Sequence, residues 1–173
     1  NGDIVISPRF RHAFHFQQGI GMAESDQGGV FIDRRGNVVA TGNAYANITE
    51  GRIPVTGSHK SGYLDLQGNI AIPFVYDEVQ SFSNGLAAVA SSDKFGYIDR
   101  EGQLVIPFQF DDAGPFIKNL APVKIGSQSG FINKLGKFVF RLPFDNSPGF
   151  IADDAAPFWT TNRLFGYVNT SGK

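Results

Sequence analysis

The chain has 173 residues, with 15 Lys and Arg against 16 Asp and Glu, a formal net charge of −1 and no cysteine. That composition excludes disulfides, thiolate metal sites and any global field that would draw in nucleic acid or an anionic membrane. A hydrophobic share of 42% with 18% charged residues belongs to a folded chain, not a disordered one.

Ile4-Val5-Ile6 reads as a strand at the very start, so the chain is expected to be a fragment that begins inside a longer one. It shows no signal peptide and no apolar run near the ~20 residues that cross a bilayer. No membrane insertion is expected, and cytoplasm and export both stay open. His12 and His15 follow, in an expected connecting loop beside Phe10, Phe14 and Phe16. In extended chain their spacing puts them on opposite faces, which is poor for chelation.

From there one phrase recurs: an aromatic, an aliphatic, Asp or Asn, two variable residues, then Gly. It runs Phe31-Ile32-Asp33 with Gly36, Tyr63-Leu64-Asp65 with Gly68, Tyr97-Ile98-Asp99 with Gly102, Phe131-Ile132-Asn133 with Gly136, and Tyr167-Val168-Asn169 with Gly172. Gly2 is the stub of an earlier copy. Successive glycines are 34, 32, 34, 34 and 36 residues apart. Three further features keep phase. Gly85-Leu86-Ala87-Ala88-Val89 has counterparts at 19–23, 51–55, 119–123 and 154–158. Ile70-Ala71-Ile72-Pro73 matches Leu104-Val105-Ile106-Pro107 and leads, as that does, into an aromatic-Asp pair, Tyr76-Asp77 or Phe110-Asp111. An apolar residue precedes each second phrase: Phe16, Ile48, Phe82, Phe116 and Phe150. In-phase repetition of this length means tandem supersecondary units.

Each unit is predicted to hold three short strands, as in Leu86 to Ala90, Phe95 to Asp99 and Gln103 to Phe108. Asp or Asn opening the second turn and Gly closing it is type I turn chemistry, so Asp33, Asp65, Asp99, Asn133 and Asn169 are expected to be turn-makers. The stretch 111–119 reads as a loop, with room for one helical turn, whose Phe116 plugs the gap between units. Leu86, Val89, Ile98, Val105 or Ile106, and Phe116 form the expected core set.

The residues Gly85 to Val89, Phe95-Gly96-Tyr97-Ile98-Asp99, Gly102, Val105-Ile106-Pro107 and Phe110-Asp111 resemble the WG-containing repeat family, also called KWG repeats. The signature Trp is replaced by Gly29, Ser61, Phe95, Ser129 and Phe165, and its Gly partner by Val30 in the earliest copy. The resemblance implies a β-repeat array, found mostly in bacterial proteins, with no catalytic residues to carry over.

The expected architecture is all-β: a single domain over 1–173, about five three-stranded antiparallel units of roughly 34 residues, bounded near Gly2, Gly36, Gly68, Gly102, Gly136 and Gly172. The array is read as closed or strongly curved, like a propeller, with an open β-solenoid as the alternative. No motif joins nucleophile, base and electrophile, so neither an enzyme nor a cofactor is expected. Gly126-Ser127-Gln128-Ser129-Gly130 lacks the strand–turn–helix setting of a nucleophile elbow. The functional expectation is a scaffold for a protein partner; the alternative is a glycan-binding module using loop aromatics and carboxylates. Candidate contact residues are Trp159 and Phe158, where the last unit departs from the repeat, with Tyr76, Asp77 and Asp111 at the head of the loops. Asp77-Glu78, Asp111-Asp112 and Asp153-Asp154 could cap those loops or form an acidic stripe.

Overall fold

The computed structural model describes residues 4–42, 47–57, 59–142, 155–159 and 165–169, in two compact units, Asn1–Ser81 and Phe82–Lys173. Among the described residues there are strands and turns and no helix.

The first unit contains β1 (His12–Gln17), β2 (Ile20–Ser25), β3 (Gly28–Ile32) and β4 (Val38–Thr41), hydrogen-bonded in chain order as a four-stranded antiparallel sheet. A three-stranded sheet follows, of β5 (Ile53–Thr56), β6 (Ser61–Leu64) and β7 (Ile70–Tyr76); the short β8 (Glu78–Val79) lies against β5 and β6. In the second unit β9 (Ala87–Ser91), β10 (Lys94–Ile98) and β11 (Leu104–Phe110) pair in order. Then come β12 (Asp112–Ala113), β13 (Ala121–Ile125), β14 (Gln128–Ile132) and β15 (Phe138–Arg141) as one sheet, and β16 (Ala155–Trp159) with β17 (Phe165–Asn169) as another.

Four-stranded sheets thus occur where three strands were expected. The extra strand comes from the stretch read as a loop. Asp112 pairs with Lys124 and Ala113 with Val123, and no helical turn follows. Instead the chain makes a two-residue hairpin in which Ile117 bridges Leu120. Lys118 and Asn119 have φ of 48° and 69°, a type I′ turn, whose twist matches that of the flanking strands. The same turn recurs at Gln18-Gly19, Glu50-Gly51 and Asn84-Gly85. Its glycines meet nothing within 4 Å of an added Cβ, so positive φ alone selects them. Likewise His12 and His15 lie on β1, not in a loop. Ile4-Val5-Ile6 is not a strand: no strand pairs with it among the described residues, and Ile4 and Val5 stand in solvent.

The second turn is built as its sequence requires. Gly102 N donates to Asp99 O at 3.0 Å, and the Asp99 carboxylate accepts from Glu101 N and Gln103 N. Asp33, Asp65 and Asn133 repeat this, and Asn37 and Asn69 add a side-chain bond to their Asp. That amide donor first, and the backbone N–H groups with it, holds the Asp33 and Asp65 carboxyls below the usual carboxylate range.

The core follows the repeat. Leu86, Val89, Ile98, Ile106 and Phe116 are buried, whereas Val105 is 44% exposed, so Ile106 is the inward residue of its pair. Tyr97 and Ile98 point to opposite faces, yet both are fully buried; the middle strand has no solvent side. Each such side chain removed from water contributes roughly 1.5–3 kcal/mol. Phe82, Phe116 and Ile48 are the buried plugs expected, but Phe16 is 43% exposed: past a register shift in β1 between Ala13 and Phe16, its ring lies over Gly21.

Copies within each unit are joined by side chains that bond backbone. Gln17 and Gln18 accept from Ile48 N and Gly51 N, both at 2.8 Å. Ser83 Oγ and Asn84 Nδ2 donate to Phe116 O, and Ser81 Oγ to Asn47 O. The type I turn glycines also lean on the preceding copy: a Cβ on Gly136 would lie 2.9 Å from Ile106, and one on Gly68 would strike Val39 O.

Candidate functional site

The aromatic-Asp pairs sit where a third strand ends and the next sheet begins. Asp77 accepts from Lys60 Nζ at 2.5 Å, and Lys60 comes from the first hairpin of the same copy. Asp111, one repeat later, takes Lys94 in the same way, and its second oxygen accepts from Gly126 N in the following hairpin. The lysine first, then that N–H, holds the Asp111 carboxyl below its ordinary range. These carboxylates therefore fasten neighbouring hairpins. Nor do they continue as an acidic stripe: the equivalent residue of the first copy is Arg11, which binds Asp26 at 2.7 Å. Asp153 and Asp154 lie outside the described residues.

Tyr76 is half-buried at the end of β7, and burial raises its phenol pKa. The more deeply placed phenols are Tyr63 and Tyr97. Tyr63 donates to Gln80 O at 2.6 Å and Tyr97 to Gly114 O at 2.8 Å. Burial, the largest cause, drives both far above the ordinary phenol value. Trp159 and Phe158 end β16, paired with Phe165 and Gly166; their side chains lie outside the described residues, as does Tyr45. Tyr76 and Asp77 are thus neighbours in chain and fold, and Asp111 holds the matching place in its own copy.

What the solvent meets at matching positions is aliphatic. Val38, Ile70 and Leu104 each open the outer strand of their copy and are 53%, 67% and 49% exposed, and Val105 next to Leu104 and Val139 in β15 are exposed too. Those strands lie at sheet edges. The run Ile-Ala-Ile-Pro is apolar without alternation, so only pairing decides which members turn inward.

In the first unit an open cleft of about 480 Å³ lies between β4 and the β5–β7 sheet, with Val39, Val55, Leu64 and Phe74 on its walls. Thr41 and Thr56 are its hydroxyls, and no ionisable side chain lines it among the described residues. Within the same limit, no three His, Asp or Glu side chains gather to hold a metal ion. His15 has its ring nitrogen 2.8 Å from the Gln17 amide.

The signature position of the repeat explains its glycine. Pairing jumps from Tyr97–Ile106 to Phe95–Phe110, so Gly96 faces a bulge of Pro107, Phe108 and Gln109. A Cβ on Gly96 would lie 2.7 Å from Ile106 O, and one on Gly62, before the matching bulge at Pro73, 2.8 Å from Ile72 O. Proline has no N–H for the ladder and fits an edge bulge. The residues before those glycines, where the signature Trp would stand, are Ser61, Phe95 and Ser129. Ser61 and Ser129 are buried, and Ser129 Oγ has no hydrogen-bond partner.

Such sheets, with a middle strand running Gly-x-x-Asp or Gly-x-x-Asn and repeating every 34 residues or so, define a tandem antiparallel β-repeat protein. Residues 62–94 and 95–128 each match the family described as WG containing repeat, two adjacent copies that support a WG-containing β-repeat family for this stretch. No curated protein matches the chain. Two solved structures are distantly similar to it, each at 10% identity. One is the computationally designed Ika4 protein, with a TM-score of 0.42 over 89% of this chain and 87% of that one. The other is PorZ of Porphyromonas gingivalis, an essential bacterial surface component of the type-IX secretion system, with a TM-score of 0.45 over 88% of this chain. The chain spans 26% of PorZ.

Proposed function

We propose that this chain is a non-catalytic repeat scaffold that holds a protein partner. The observation that carries this reading is the recurrence of exposed aliphatics at one position of successive copies, Val38, Ile70 and Leu104, on edge strands. Apolar side chains kept in water at regular spacing suit contact with another protein's surface. Several groups that would suit a glycan are engaged within the fold, which favours this reading. Asp77 and Asp111 are tied to lysines, and Tyr63 and Tyr97 to carbonyls. The same proposal takes the array as closed or strongly curved in preference to an open β-solenoid, which small-angle scattering measures.

The test is affinity capture on the immobilised chain, beside a variant carrying Ile70→Ser, Leu104→Ser and Val105→Ser, followed by cross-linking. Proteins cross-linked to the wild-type outer strands and lost with the variant are the expected result. Recovery of glycans without protein, or capture indifferent to the three changes, overturns it.

A further inference from the structure

Charge is distributed unevenly between copies. From Ala113 to Phe144 there are five basic residues, Lys118, Lys124, Lys134, Lys137 and Arg141, and no Asp or Glu, in a chain whose net charge is −1. Two of them, Lys137 and Arg141, are exposed at the ends of β15, the edge strand of the β12–β15 sheet. Arg141 lies over the Phe138 ring at 4.5 Å, which fixes its guanidinium beside that edge.

The backbone of this edge also differs from those of the second and third copies, while the first copy has Thr41 at the same place. Residues 73, 107 and 141 are 34 residues apart, one place in three copies: Pro73, Pro107 and Arg141. In β15 Leu142 N donates inward to Ser129 O. Strand alternation therefore turns the N–H of Arg141 toward the open edge. Proline at 73 and 107 removes that donor, a known way of keeping edges unpaired. Here the donor remains, Val139 beside it is exposed, and cations flank it.

We propose that β15 takes up an extended acidic peptide of a partner protein as an added strand, with carboxylates against Lys137 and Arg141 and an apolar side chain against Val139. This rests on the scaffold reading and names the surface it uses. Main-chain bonds would give affinity and the flanking charges would give selection. A second copy of the same edge is disfavoured, because it would bring basic residues against basic residues.

The experiment uses the full chain and a short fluorescein-labelled peptide alternating Glu and Val, with a Lys–Val peptide and a single-stranded oligonucleotide as rivals. The expected result is saturable binding of the acidic peptide alone, weakened by salt, with amide exchange at Arg141 slowed in the complex. Arg141→Pro copies a residue the fold already accepts at 73 and 107, and should weaken binding about tenfold by removing a bonded donor. Lys137→Glu with Arg141→Glu should transfer preference to the Lys–Val peptide. Equal binding to Arg141→Pro, tighter binding of the oligonucleotide, or slow Arg141 exchange without peptide would each overturn the proposal. The two readings fail separately. If capture still depends on Ile70, Leu104 and Val105 while the acidic peptide does not bind, the scaffold stands and the edge is discarded.

Discussion

The β9–β11 copy and the β1–β4 copy solve one packing problem in opposite ways. In the former, Gly96 leaves room for an outer strand that bulges at Pro107 and brings Phe108 to 3.1 Å from where a Cβ would be. In the latter, Val30 stands in place of the glycine and pairs with Thr41. The outer strand carries no bulge opposite it, and Gly42 takes the place of the phenylalanine. Bulk has moved from one strand to the other, so the repeat preserves filled volume more faithfully than residue identity. The same pair of copies differs at the buried ring: Tyr97 bonds Gly114 O, while Phe31 has no hydroxyl to place.

The sharpest way to break this comparison is Gly96→Val, which gives the third copy the side chain of the first without its straight strand. A loss of about 3 kcal/mol is expected from overpacking, read from urea midpoints. Tyr97→Phe comes next. It leaves the Gly114 carbonyl without its donor and should cost about 1–1.5 kcal/mol, with little change in the denaturant slope. Ser129→Ala removes a buried hydroxyl that has no partner. It should raise stability by about 1 kcal/mol, whereas Ser61→Ala, whose hydroxyl reaches Asp77 O at 3.5 Å, should gain less.

The smallest effect concerns acid. Asp33 and Asp65 have folded pKa values below the unfolded value, so the folded state binds the proton less readily than the unfolded one. Their contribution is present above about pH 4 and is lost as pH falls through the lowered folded values. Asn133 keeps the same turn bonds without a charge. Asp33→Asn with Asp65→Asn should therefore leave neutral-pH stability nearly unchanged and flatten its decline below pH 4, as thermal unfolding across that range would show.

These contrasts mark how far the sequence could be read. The second turn was legible at Asp33, Asp65, Asp99 and Asn133, because Asp or Asn and Gly act through their own backbone and need no distant partner. The buried set was legible where an apolar residue recurred in phase, and failed at Phe16 and at the choice between Val105 and Ile106. Both depend on which strand lies opposite, a non-local fact. The stretch 111–119 hid a strand and a hairpin because two residues, Asp112 and Ala113, are too few to show a period. Of the candidate contacts, Asp77 and Asp111 proved to be fasteners; Lys60 and Lys94, their partners, lie 17 residues away in sequence. The acid-free run from Ala113 to Phe144 was in plain view, but a net charge near zero conceals it.

The joints between copies carry a historical consequence. Gln17, Gln18, Ser81, Ser83 and Asn84 all reach main-chain groups of another copy. Every residue offers a carbonyl, and nearly every one an N–H, whatever its identity. A gene duplication that inserts or deletes one period therefore creates a junction whose chemistry is already compatible. Individual copies can diverge, as Thr41 has from Pro107, without forcing a matching change in their neighbours.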